Sequence, residues 1–260
     1  MKFLVFALFF FHFSFSQELE FVADFSIDAD HFIAVDNFEN YYFLKNNTLY
    51  KRTTTKTYSY SNIQLGEITS VDIKNPLKIS LFYSHFNTVL FLDNQLNELT
   101  TPINFSASSF SKNIAFVNTA SGTNLWLYSF DDGVLQNWNY QTKKIQFTTK
   151  PLSYFKDRFT PKQLLSTYKN CWLIGNTTIL QFNTYGAFVR DYAIENAANI
   201  KLFKNGFIYL KKNQIYYQND IETKELPLKA KITIRNFSMN GNQIYLFDGS
   251  QIFIYKILKF

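Results

Sequence analysis

Residue types that usually carry chemistry are scarce in this 260-residue chain, which has one cysteine, three histidines and eight glycines. A lone cysteine, Cys171, excludes an internal disulfide, so stability must come from packing. It stands in "NCWLIGN" beside Trp172, the setting of a buried, inert thiol rather than a nucleophile. The glycines, at 66, 122, 133, 175, 186, 206, 241 and 249, fall one to a turn or loop, which excludes a glycine-rich phosphate loop. No G-x-S-x-G occurs and no histidine neighbours Cys171, so nucleophilic catalysis has no local signature.

Metal chemistry fares no better. His31 sits in "DADHFIAVD" near Asp28, Asp30 and Asp36. A calcium loop usually needs a glycine-permitted turn and zinc needs more His or Cys, so the stretch reads as a turn before a strand. Neither a metal nor a cofactor is expected. A carboxylate pair assembled from distant segments stays open, with Asp24, Asp36, Asp72, Asp93 and Asp248 as equivalent candidates. With no catalytic motif, the expectation is that the chain is not an enzyme.

Long apolar runs are absent after the first residues. Lys2, the eleven-residue run "FLVFALFFFHF" and Ser14-Phe15-Ser16 have the order of a secretory signal peptide, predicted to span residues 1–16 with the mature chain starting at Gln17. The run is about half of what a membrane-spanning helix needs. The product is expected to be exported to the periplasm or cell surface, peripheral to the outer membrane and without a membrane span. Losing Lys2 leaves 25 basic against 20 acidic residues, a modest and scattered excess. The densest cluster, "LKAKITIR" (228–235), alternates like a solvated strand face, and no nucleic-acid binding is expected.

Aromatic residues are plentiful, with 30 Phe and 17 Tyr, and with Ile, Thr and Asn they favour strands and turns. An AT-rich genome enriches several of the same residues, so the count alone carries little. The pattern carries more. Short alternating hairpins recur, and Thr48, Val89, Leu125, Ile179, Ile215 and Ile252 mark them at separations of 41, 36, 54, 36 and 37 residues. Each period holds about four strands, such as "NIKLF", "GFIYLKK", "QIYYQN" and "KELPL". A four-stranded unit of about 40 residues has the size of a propeller blade. The last period is one strand short, and "ELEFVADFSI" (18–27) is one too many at the start. The expectation is an all-β, six-bladed propeller over residues 17–260, closed by its N-terminal strand; a β-sandwich with a second small domain, or two sandwiches, is the rival. "TPKQLLSTYKN" (160–170) fits either a helix or the inner strand of blade four.

The stretches "NPLKISLFYSHFNTVLFLDNQLNEL", "NLWLYSFDDGVL" and "TTILQFNTYGAFVRDYAI" resemble a family of exported β-propeller proteins of Bacteroidetes and flavobacteria. The resemblance implies an envelope protein of this fold and transfers no catalytic residue.

In a propeller, the loops joining strands two and three share a face with the connections between blades. This gathers Lys45, His85, Phe86, Lys211 and Lys212 on one side. The long interval is read as an insertion near 143–161, adding Tyr154, Phe155, Lys156, Arg158 and Phe159 to that face. Exposed aromatics with arginine suit an interaction hot spot; the alternative is that these rings plug the central channel. The sequence reading is a non-catalytic scaffold or accessory subunit of an outer-membrane assembly, binding an envelope protein. A glycan-binding or carbohydrate-active propeller is the second reading.

Overall fold

Apolar residues alternate along most strands, and in the second and third strands of a sheet the residues between them are buried too. Ile79–Tyr83 and Thr88–Leu92, for instance, are buried along their whole length. Such strands must be covered on both faces. The covering comes from neighbouring sheets. The computed structural model describes residues 19–107, 111–228 and 230–258, and among them six four-stranded antiparallel sheets close a ring. The molecule is a six-bladed β-propeller. The predicted leader and its cleavage site lie outside the described residues.

Blades 1 to 5 occupy 31–60, 70–104, 114–148, 163–193 and 198–226, each with its strands in chain order from the axis outward. Blade 6 takes Asn236–Asn240, Gln243–Phe247 and Gln251–Ile257, then adds Leu19–Ser26 as its outer strand. Pairing runs from Leu19 opposite Ile257 to Ser26 opposite Gln251, with an irregularity between Phe21 and Ala23. The N-terminal strand therefore closes the ring.

Apolar clusters fill all six interfaces between blades. Leu81 and Leu90 of blade 2 face blade 1 with Tyr42 and Leu49, while Phe82, Val89 and Phe91 face blade 3 with Leu125 and Trp138. This is the two-residue alternation of a strand read on both faces. Cys171 lies buried in the cluster between blades 3 and 4, where burial pushes its thiol pKa up, the inert state that its sequence context suggests. Side-chain amides stitch the innermost strands together. Asn118 donates to the Leu164 carbonyl at 3.2 Å, Gln163 to Ile200 at 3.3 Å, Asn199 to Arg235 at 3.2 Å and Asn236 to Phe32 at 2.8 Å. Fully burying one Leu, Ile or Phe is worth about 1.5–3 kcal/mol, against about 1 kcal/mol net for a typical hydrogen bond. Packing holds the ring, and the amides set its register.

Three details differ from the sequence reading. Residues 163–166 form the inner strand of blade 4, so the helical alternative for 160–170 falls. "LKAKITIR" is not a strand face: the inner strand of blade 6 starts at Asn236, and the residues before it link blades 5 and 6. Leu125 lies in the second strand of blade 3, whereas Val89, Ile179, Ile215 and Ile252 lie in third strands. The equivalent position in blade 3 is Leu135, in Val134–Asn139. Realigned on it, the interval of 54 residues disappears, with 46 residues from Val89 to Leu135 and 44 from Leu135 to Ile179.

Candidate interaction surface

An asparagine in the turn between strands two and three recurs as a clip for the connection leaving the same blade. Asn47, Asn87 and Asn213 all hold the left-handed backbone, with φ of 55°, 48° and 64°, a conformation that asparagine tolerates better than most residues. Asn47 donates to the Gly66 carbonyl and accepts from the Ile68 amide. Asn87 donates to the Lys112 carbonyl and accepts from Ile114, and Asn213 does the same with Ile232 and Ile234. These bonds put the second turns and the blade-to-blade connections on one face.

That face carries the ten residues singled out from the sequence, spread around the ring. Lys45 pairs with Asp28 at blade 1. His85 is exposed at blade 2, and Phe86, half-exposed, leans on Gly66, where a Cβ would come within 2.9 Å of the ring. Lys211 and Lys212 stand at blade 5, and their ammonium groups make no hydrogen bond or ion pair among the described residues. The remaining five lie between blades 3 and 4, in a connection (149–162) longer than those at 61–69 or 227–235. Lys144–Thr148, ahead of it, is the outer strand of blade 3.

Within this connection the side chains divide. Leu152 is buried and Phe155 packs beside it, edge-on to Phe182 at 5.3 Å and stacked on Phe188 at 5.2 Å. Phe159 rests on Gly175, where a Cβ would lie 2.7 Å from its ring. Both rings join the cluster between blades 3 and 4, and neither lines the axial channel. Tyr154 stays 66% exposed, edge-on to Phe155 at 5.3 Å with the Lys150 ammonium 3.8 Å from its ring centre. The Arg158 side chain is 93% exposed, on a left-handed backbone with φ of 51°. Lys156 lies 3.9 Å from Asp191. Tyr154, Phe155 and Phe188 thus form a continuous aromatic strip beside Lys150 and the Lys156–Asp191 and Arg158–Asp157 pairs, the last at 3.7 Å. Phe188 and Lys150 escape the sequence reading, because only the fold of the connection brings them together.

The opposite face also shows apolar side chains. Phe38, Leu77, Tyr185 and Ile221 are 65–90% exposed, and each follows an Asx turn whose acceptor is Asp36, Asn75, Asn183 or Asn219. They sit singly at turn tips, which is ordinary for a folded surface.

Along the axis the innermost strands enclose a channel of about 500 Å³. Asp72 is its only carboxylate among the described lining residues. Asp72 accepts from the Thr119 amide at 2.8 Å and hydroxyl at 2.6 Å, from the Lys74 amide at 2.9 Å, and pairs with the Lys74 ammonium at 3.4 Å. Burial works to raise its pKa, but the Lys74 charge and these hydrogen bonds outweigh it and hold the carboxyl below its ordinary value. Asp36, Asp93 and Asp248 are turn acceptors. Among the described residues no three His, Cys, Asp or Glu side chains gather as a metal site. Nor is any described helix long and apolar enough to cross a membrane.

No protein-family model and no curated protein sequence matches the chain. Solved structures do resemble it. Virginiamycin B lyase from Staphylococcus aureus superposes with a TM-score of 0.62 at 10% identity, over 93% of this chain and 100% of that one. The Pan2 WD40 domain of Neurospora crassa gives 0.57 at 11%, over 89% and 76%. A chain of the Mitotic Checkpoint Complex gives 0.55 at 11%, over 98% and 100%. At such identities the likeness is one of fold.

Proposed function

We propose that the chain is an exported, non-catalytic propeller that binds protein, serving as a scaffold or accessory subunit of a bacterial outer-membrane assembly. The observation that carries this reading is the aromatic strip of Tyr154, Phe155 and Phe188 with its charged rim. Interfaces favour aromatic and arginine anchors, and a ring of rigid blades presents such a strip with little ordering cost. The leader-like residues 1–16 support export. Among the similar folds, the checkpoint chain belongs by name to a complex, while the lyase is an enzyme. A carbohydrate-active propeller would need two facing carboxylates at the channel, and Asp72, the only described one there, is committed to Lys74 and Thr119.

Crosslinked capture from the native envelope, compared between variants, tests the reading. Tyr154→Ala with Arg158→Ala should cost about 2 kcal/mol or more of binding and leave melting nearly unchanged. Phe155→Ala should lower stability, by less than the roughly 3–5 kcal/mol of a fully buried phenylalanine. Undiminished capture by the Tyr154/Arg158 double variant would remove the strip from the interface.

A further inference from the structure

Lys201 is the half-buried channel residue whose charge has no counterpart. It stands on the innermost strand of blade 5, Ala198–Phe203, where the pairing with Gly206–Lys211 shifts register. It lines the axial channel in company with Ile33, Val71, Val117 and Leu165, beside polar neighbours that include Ser70, Gln163 and the exposed Lys162. No hydrogen bond or ion pair reaches the Lys201 ammonium from any described residue, whereas the Lys74 ammonium, in the same wall, is held by Asp72, Thr119 and Ser166. Burial alone lowers the Lys201 pKa, with no carboxylate near enough to offset it. Lys201 is half-buried, and an ammonium partly withdrawn from water without an anion carries a cost. The protein carries this cost inside a cavity of the size that takes small ligands.

We propose that the axial channel binds a small organic carboxylate with an apolar tail, its carboxylate paired to the Lys201 ammonium and its tail held by Ile33, Val71, Val117 and Leu165. Of the three lysines in the lining, Lys74 is engaged and Lys162 is exposed, which leaves Lys201 as the one half-buried cation without a partner and suits a monoanion. The site lies on the ring axis and is independent of the aromatic strip, so either assignment can fail alone.

The test is titration calorimetry of the full mature chain with octanoate, with octanol as the tail without the charge. Octanoate should bind saturably at one per chain and raise the melting temperature, and Lys201→Met should weaken it at least tenfold. Octanol should bind both proteins equally and more weakly than octanoate binds the unaltered protein. Lys201→Arg, which keeps the charge, should retain most of the octanoate affinity, and it serves as the comparison if the Met variant misfolds. Absence of octanoate binding, or equal affinity in Lys201→Met, would overturn the proposal, as would loss of binding in a well-folded Lys201→Arg protein.

Discussion

Asp72 and Lys201 line one channel and show how neighbours, rather than burial, decide the fate of a charge. Burial opposes ionisation at both. Around Asp72, Lys74 and the Thr119 donors win, and around Lys201 nothing does. The linkage for Asp72 has a definite sign. A carboxyl held below its unfolded value contributes stability that is present above about pH 4 and lost as pH falls through its folded pKa. Asp72→Asn should therefore lower stability at pH 7, by up to roughly 3–5 kcal/mol, because Lys74 keeps a buried charge without its partner. The gap from the unaltered protein should narrow as pH falls below about 4 and Asp72 is protonated; a gap constant with pH would refute this account. In the sequence Asp72 looks no different from Asp36, Asp93 or Asp248. An aspartate that caps a turn and one that anchors a channel have the same local context, and only the arrival of Thr119 from the next blade separates them.

At the scale of strands, the closure device was legible because a short last period and a spare first strand complement each other. The outer strand Leu19–Ser26 buries Leu19 against blade 5, and Ile27, just beyond it, reaches the cluster between blades 6 and 1. Deleting residues 17–27 should bare the edge of Gln251–Ile257, a template for association. Light scattering should then show aggregation and calorimetry a broadened or lowered transition. Soluble truncated protein with unchanged melting would contradict closure by this strand. Two other stretches misled for physical reasons. In blade 3, "NLWLYS" and "VLQNWN" alternate equally well, so pattern alone does not tell strand two from strand three. In "LKAKITIR", Ile232 and Ile234 are buried in alternation although no sheet forms there. Asn213 satisfies the backbone at Ile232 and Ile234, as a neighbouring strand would have done.

The whole molecule is a ring of six apolar interfaces, four of them stitched by amides near the axis, and clipped by asparagines on one face. Topology made the composition of that face legible in the sequence. The direction of each ring in 149–162 was not legible, because blade 4 decides it by receiving Phe155 and Phe159 while leaving Tyr154 and Arg158 outside. The central claim is that protein partners meet this face. Site-specific photocrosslinking in the native envelope tests it most directly, with a benzophenone amino acid placed at Tyr154 or, on the opposite face, at the still more exposed Tyr185. A discrete protein adduct from position 154 and none from 185 is the predicted result; an adduct from 185 with none from 154 would contradict the account.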